Sequence, residues 1–292
     1  MPREQEIVCG CKANIYLRII GRRKDGLHDL RSLFLPLDRP FDRLFIIPKS
    51  TLGIDFKCSV PDLSRDNIVL QAFELFAGST GFGPGVSVYL EKNIPHGAGL
   101  GGGSSNAAAV LRFLNDLAGD RALPLQRLRQ MSMRLGADVP FFLDNTPAWV
   151  SGAGERIQPV YVQDPRALGV LIYPDIRIST AWAYKAWDEA GLPQTRTLTN
   201  LERVYKKSLF IRDLILYNSF EGVVFQEYPE LAGIKCSAFR HGASACILSG
   251  SGSAMLAFFR GRRARDRFRD RLQKRGVLSY ELECSHWGVA KR

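Results

Sequence analysis

At 292 residues, with 46% hydrophobic and 24% charged side chains, the chain is long enough for two folded domains and too mixed in composition for a disordered or fibrous protein. No apolar run approaches the roughly 20 residues of a membrane span. The net charge of +11 would suit a polyanionic partner, but the segment Gly261 to Gly276 supplies +6 of it, through eight Arg and Lys against two Asp.

The N-terminal segment Met1 to Glu6 is charged and has no apolar stretch behind it, so no signal peptide and a cytoplasmic location are expected. Ile7 to Ile19 alternates and predicts a half-buried strand, with Cys9, Cys11, Ala13, Ile15, Leu17 and Ile19 on one side and Lys12 and Asn14 on the other. Arg22 to Gly26 reads as a turn. Leu30 to Leu37 and Leu44 to Ile47 read as two further strands. Asn67 to Gly78 predicts a helix with Ile68, Ala72 and Leu75 on its apolar face and Gly78 as its stop. Val86 to Leu90 is a strand, followed by a glycine-rich stretch and a helix from about Ser104 to Ala118. A second helix is predicted over Leu125 to Leu135.

Strands return at Ala148 to Val150 and Gly169 to Tyr173, with a domain boundary near Gly152 to Pro159, so that residues 1–155 form one domain and 156–292 the other. Helices follow at Ala181 to Ala190 and near Leu214 to Phe225. Strands at Ala245 to Leu248 and Ala254 to Phe259 flank a second glycine-rich loop. The basic segment is read as a helix with Ala264, Phe268 and Leu272 inward and a solvated basic back, Asp266 and Asp270 being spaced for ion pairs with Arg262 and Lys274. That reading makes a nucleic-acid partner the lesser alternative. A strand near Val277 to Glu283 closes the pattern. The whole is an α+β protein. Its six cysteines lack CxxC spacing and its four histidines lack ligand spacing, so reduced thiols and no protein metal site are expected.

The strongest local signal is Pro95-His96-Gly97-Ala98-Gly99-Leu100-Gly101-Gly102-Gly103-Ser104-Ser105. Five glycines in seven residues let backbone N–H groups close on a bulky anion, and the helix that follows adds its free N–H groups and the positive end of its dipole. Ser104 and Ser105 can cap that helix or offer hydroxyls to phosphate or Mg²⁺. Gly97, Gly99 and Gly102 formally satisfy G-x-G-x-x-G, but Glu91 to His96 separates them from the strand, unlike a dinucleotide fold. No Lys follows the glycines, so the loop is not a P-loop.

These residues resemble the GHMP kinases (galactokinase, homoserine kinase, mevalonate kinase, phosphomevalonate kinase). Pro95 to Ala108 is similar to the family's second motif, Cys11-Lys12-Ala13-Asn14-Ile15 to the first, and Leu248-Ser249-Gly250-Ser251-Gly252-Ser253 to the third. The triple glycine, Gly21 to His28, Leu135 to Pro140 and Asn218-Ser219-Phe220-Glu221 resemble the branch whose acceptor is a cytidyl diphosphate sugar alcohol. The resemblance implies an N-terminal α+β domain with the phosphate loop, a ferredoxin-like C-terminal domain, and phosphorylation of a small alcohol by ATP with Mg²⁺. A homoserine- or mevalonate-type kinase and a non-catalytic ligand-binding relative are the alternatives.

By the same resemblance Lys12 and Asp138 are catalytic. Asp138 would be base or hydroxyl-orienting group, and Lys12 would keep it ionised and stabilise charge on the transferring phosphoryl group. The ATP site would comprise Asn67, Lys92, Pro95, Gly97, Gly99, Leu100, Gly101, Gly102, Gly103, Ser104 and Ser105. Asn67 could equally cap its helix, and Lys92 could be an exposed strand end. The acceptor site would comprise Asn14, Leu27, His28, Thr180 and Tyr184, with His28 reading cytosine and Tyr184 stacking on it. Leu27 stands where the family usually has an aromatic residue.

Overall fold

The computed structural model describes residues 4–163, 168–191, 208–210 and 216–283. In chain order the strands are β1 (Gln5–Arg22), β2 (His28–Pro48), β3 (Gly53–Cys58), β4 (Gly85–Glu91), β5 (Ala148–Gly152), β6 (Arg156–Pro159), β7 (Tyr161–Gln163), β8 (Leu168–Tyr173), β9 (Ser208–Phe210), β10 (Tyr217–Asn218), β11 (Ala243–Leu248), β12 (Met255–Phe259) and β13 (Leu278–Glu283). The helices are α1 (Ile68–Thr80), α2 (Gly102–Leu117), α3 (Leu125–Ser132), α4 (Val139–Asp144), α5 (Thr180–Glu189), α6 (Glu221–Glu227), α7 (Pro229–Arg240) and α8 (Arg262–Lys274). The sequence expectation of a helix starting near Leu214 falls partly outside the described residues; α6 begins at Glu221.

Contacts divide the chain into two units. One holds the residues up to Cys11, Pro40–Pro95 and Gly101–Asn145; the other holds Lys12–Arg39, His96–Leu100 and the chain from Thr146. The sequence suggested a single cut at 155/156. The units interleave because β1 and β2 are long enough to run from one into the other. The two strands expected at Leu30 to Leu37 and Leu44 to Ile47 are one, because the backbone stays extended through the residues between them.

In the first unit β4 lies between β3, which runs parallel to it, and the Arg43–Pro48 end of β2, which runs antiparallel. Val86, Val88 and Leu90 of β4 alternate inward, as their period of two requires. Helix α1 buries Val69, Ala72, Phe73 and Phe76, so its inner face is rotated from the expected Ile68–Ala72–Leu75 line. It also runs past Gly78. The stop is Gly81, which takes φ 67° and donates its N–H to the Ala77 carbonyl, the left-handed C-terminal cap that glycine favours. Helix α2 buries Ala107, Val110, Leu111 and Leu114.

The second unit contains a four-stranded antiparallel sheet in the order β11-β12-β8-β13. With α5 to α7 before β11 and α8 before β13, this is the βαββαβ ferredoxin-like order that the resemblance implied. Its core gathers Val170, Ile172, Trp187, Leu231, Leu248, Met255, Phe259 and Phe268. Helix α8 contributes Phe268 and Leu272, and Arg262, Arg263 and Arg267 stay exposed, as an amphipathic helix requires. Arg265 bonds Asp266 and pairs with Glu281, and Arg269 reaches Glu281 at 2.7 Å. Strand β13 supplies Glu281, which ties the helix to the sheet.

Strand β1 is the other departure. Residues 11–19 are buried on both faces, so the strand is not half-solvated as its alternation suggested. Lys12 and Asn14 are 4% and 2% exposed.

Cys9, Cys11, Cys58, Cys236 and Cys246 are free thiols; Cys284 lies outside the described residues. Burial pushes the thiols of Cys9 and Cys246 up to about 12, so both stay protonated and unreactive near neutrality. Only Cys236 among these five is exposed. Mass spectrometry after brief iodoacetamide treatment of the native protein at pH 8 should therefore find Cys236 alkylated well before Cys9 or Cys246. Equal rates would contradict the burial described.

Candidate active site

In the second unit the candidate residues gather around the buried ammonium of Lys12. Lys12 Nζ donates to Asn14 Oδ1 at 2.7 Å and lies 4.7 Å from the centroid of the Phe34 ring. Removing an ammonium from water is costly unless its hydrogens find partners, and these contacts offset part of that cost. Asn14 is itself fixed. Its Nδ2 donates to Ser32 Oγ at 2.8 Å, and Ser32 Oγ donates to the Tyr16 carbonyl at 2.6 Å. The amide oxygen is thereby turned toward Lys12.

Both glycine-rich loops close on this strand. The Lys12 N–H donates to the Leu100 carbonyl at 2.9 Å. The Asn14 N–H donates to Ser249 Oγ at 3.1 Å. A Cβ placed on Gly250 would lie 3.3 Å from Asn14 Oδ1 and 3.8 Å from Lys12 Nζ. The loops also pack on each other. Ala254 N–H donates to the Ala98 carbonyl, and a Cβ on Gly99 would lie 2.8 Å from the Ser249 oxygen and 3.1 Å from the Gly252 oxygen. Gly99 also sits at φ +74°, so both backbone angle and space require glycine there.

Two residues, Asn218 and Glu221, hold the second loop, and Ser219 between them holds β1. Asn218 Nδ2 donates to the carbonyls of Leu248 and Gly250, each at 2.8 Å. Glu221 Oε1 accepts the Leu248 N–H at 3.0 Å while Oε2 accepts from Lys235 at 2.6 Å. Ser219 Oγ accepts the Ile19 N–H of β1 at 3.0 Å. The segment Asn218-Ser219-Phe220-Glu221 carried only resemblance in the sequence; here it is the brace of the loop.

Elsewhere in this unit, Thr180 Oγ1 and Ser251 Oγ are 2.9 Å apart. His28 stacks on Tyr184, with ring centroids 4.5 Å apart and planes 18° apart, and its Nε2 is 2.9 Å from Asp188 Oδ1. One face of the Tyr184 ring is thus covered by His28. Asp188, not foreseen from sequence, orients that histidine. Leu27 is 55% exposed in the turn before it.

The first unit holds the remaining candidates. Helix α2 begins at Gly102, two residues before the expected start, because Gly101 adopts φ 69° and serves as its N-terminal boundary. Ser104 and Ser105 therefore stand inside the first turns and do not cap the helix. The first-turn N–H groups and the dipole of a 16-residue helix are directed at the loop. A Cβ on Gly102 would meet Lys92 Nζ at 2.9 Å, one on Gly103 would meet Ile68 at 3.6 Å, and one on Gly136 would reach Ser104 Oγ at 4.0 Å. Lys92, the start of α1, the triple glycine and the turn leading to Asp138 are thus neighbours. Pro95 is half-buried before the loop. Asp138 occupies the N-cap position of α4, half-buried, and makes no cap bond to that helix.

Asn67 caps α1: its Oδ1 accepts the Val69 N–H at 3.0 Å and its Nδ2 donates to the Leu63 carbonyl at 2.9 Å. Lys92 is no exposed strand end. Its ammonium is buried in an ion pair with Asp42, a fully buried carboxylate that sequence reading passed over.

Residues 67–146 match the family described as "GHMP kinases N terminal domain", and residues 206–278 match "GHMP kinases C terminal". A curated relative from Nitratidesulfovibrio vulgaris, named 4-diphosphocytidyl-2-C-methyl-D-erythritol kinase, is 41% identical over 275 residues, covering 93% of this chain and 96% of its own. One of the same name from Solidesulfovibrio magneticus is 42% identical over 261 residues, covering 86% and 87%. A crystal structure described as 4-(cytidine 5'-diphospho)-2C-methyl-D-erythritol kinase superposes with a TM-score of 0.78 at 31% identity, covering 95% of this chain and 98% of that one.

Gly99 and Gly97 both sit at positive φ, but nothing lies within 4 Å of a Cβ on Gly97. Gly97→Ala should therefore cost only the left-handed angle, about 1–2 kcal/mol. Gly99→Ala adds a backbone clash and should lower kcat/KM for ATP by at least about tenfold more than Gly97→Ala does. Steady-state kinetics of the two variants decide it; similar losses would remove the loop-on-loop contact from the account.

Proposed function

The chain belongs to the GHMP kinase family, in the branch of the 4-diphosphocytidyl-2-C-methyl-D-erythritol kinases, and on that premise we propose that it uses ATP to phosphorylate the 2-hydroxyl of 4-diphosphocytidyl-2-C-methyl-D-erythritol, a step of non-mevalonate isoprenoid precursor synthesis. The observation that carries this reading is the convergence of two glycine-rich loops on the strand that carries the buried ammonium of Lys12, itself held by Asn14 at 2.7 Å. Backbone N–H groups and a desolvated cation suit a transferring phosphoryl group, whose chemistry asks chiefly for positioning and charge stabilisation.

In this proposal Gly97 to Ser105 cradle the phosphates of ATP. Lys12 stabilises charge on the transferred group. Asp138, at the head of α4, accepts or orients the hydroxyl proton of the acceptor. Asn67 and Lys92 border the nucleotide by way of the structure they hold, the cap of α1 and the pair with Asp42. No group of three or more His, Cys, Asp or Glu that would hold a metal is present among the described residues. Mg²⁺ fits instead as an ion brought with the nucleotide, for which Ser104, Ser105 and Asp138 offer oxygen donors. Bound there, it would neutralise phosphate charge.

The cytidyl end rests on His28. Nε2 faces Asp188 Oδ1, and in the tautomer that carries its N–H there Nδ1 is an acceptor. An acceptor at that edge suits the exocyclic amino group of cytosine. Tyr184 supports the ring from its face, and Thr180 ties α5 to the second glycine loop through Ser251. The free thiols among the described residues accord with a reducing, cytoplasmic compartment.

Two sets of variants test the proposal. Asp138→Asn and Lys12→Met should each lower kcat by orders of magnitude, with ATP affinity nearly kept in the first and moderately weakened in the second. Near-native turnover of Asp138→Asn on the cytidyl substrate would displace it from the acceptor site. His28→Ala should lower kcat/KM for the cytidyl substrate by about tenfold or more and leave a base-free methylerythritol phosphate almost unaffected. Equal losses on both substrates would remove the base from His28 and favour another GHMP acceptor.

A further inference from the structure

Asp42 lies inside β2 with its carboxylate fully buried, and every bond it makes leads to the glycine-rich loop. Oδ1 accepts the backbone N–H groups of Asn93 at 2.7 Å and Ile94 at 2.8 Å. Oδ2 accepts from Asn106 Nδ2 at 3.0 Å and pairs with the ammonium of Lys92. Asn93 and Ile94 are the last residues before the loop begins at Pro95. Asn106 stands in α2, just after Ser104 and Ser105. Lys92 lies against Gly102. One carboxylate therefore fastens the segment entering the loop, the helix leaving it and the cation beside it.

From this convergence we propose that Asp42 is a positioning residue for nucleotide binding, acting through Lys92, Asn106 and the loop backbone without touching the nucleotide. The proposal rests on the reading of the loop as the ATP site. A glycine-rich loop has much conformational freedom to lose on binding. Anchoring both of its ends keeps the N–H groups aimed before the anion arrives, which is where preorganised electrostatic binding gains its strength. The carboxylate suits this task because it accepts four bonds at once, and charge-assisted bonds are the shorter and stronger kind. Its charge also offsets that of Lys92. The attraction for phosphate then comes from the backbone N–H groups and the start of α2, and Lys92 serves chiefly to hold Asp42 and Gly102 in place. A neutral amide at position 42 would keep Oδ1 for Asn93 and Ile94 but turn an N–H₂ group toward two other donors, Lys92 and Asn106.

Calorimetry with a non-hydrolysable ATP analogue, alongside acceptor KM and thermal melting, tests this on the full chain. Four proteins are compared: wild type, Asp42→Asn, Asn106→Ala, and the exchange Asp42→Asn/Asn106→Asp, which returns a carboxylate to the cluster from the other side. Asp42→Asn should weaken the analogue by about tenfold or more while acceptor KM stays within about twofold. The exchange should recover affinity to within about threefold of wild type. If Asp42→Asn does not fold, Asn106→Ala decides: a loss of about threefold or more in analogue affinity supports the proposal. A folded Asp42→Asn or Asn106→Ala with wild-type affinity overturns it, as does an exchange without recovery or a parallel loss in both substrates. A wild-type protein that fails to bind the analogue would instead overturn the nucleotide reading of the loop, and this proposal with it.

Discussion

A lysine ammonium taken out of water must be held by oriented partners, and much of the site follows from that demand on Lys12. Its amide partner Asn14 can present its oxygen because Ser32 takes its nitrogen and Tyr16 takes the Ser32 hydroxyl proton. The strand that carries both residues is pinned on its backbone by Leu100 from one glycine loop and by Ser249 from the other. Those loops can come that close only where side chains are absent, at Gly99 and Gly250. The glycines therefore admit the strand that carries the cation, and in the function proposed above they also free backbone N–H groups for an anion.

The braces follow the same logic. Asn218 and Glu221 bond the backbone of the second loop at its start, and Asp42 bonds the backbone on the approach to the first. Asp42 and Asn218 are buried and Glu221 is half-buried, and such polar side chains are acceptable there because their atoms are matched. Such groups cost stability when half satisfied and confer a single geometry when fully satisfied. Phosphoryl transfer depends on that single geometry, since positioning and electrostatics do most of its work.

Legibility in the sequence tracked the range of the interactions involved. The glycine-rich loop was readable because its signal is local: glycine density followed at once by a patterned helix. The βαββαβ half was readable because each strand and helix carries its own period. The burial of Lys12 was not, because an alternating strand with polar alternate residues is the pattern of a solvated face, and the residues that allow burial are Ser32, Phe34 and Ser249, distant in the chain. Asp42 escaped for the same reason, its partners being 50 to 64 residues away. The inner face of α1 was misjudged by one residue because Val69 and Phe73 compete with Ile68 and Leu75 for the core, and only the packing partner chooses. Asp188 was invisible until the fold set it against His28, 160 residues earlier.

Taken together, the loops, the held cation and the oriented histidine describe a catalyst for moving one phosphoryl group onto one hydroxyl of a cytidyl-bearing alcohol. The most direct measurement of that claim is ³¹P NMR of the purified protein with ATP, Mg²⁺ and 4-diphosphocytidyl-2-C-methyl-D-erythritol. The account predicts that ATP signals give way to ADP in equal measure with a new phosphomonoester resonance on the 2-position, while the diphosphate bridge of the acceptor stays intact. ATP left unconsumed, or a phosphomonoester appearing only when homoserine or mevalonate replaces the cytidyl acceptor, would contradict it.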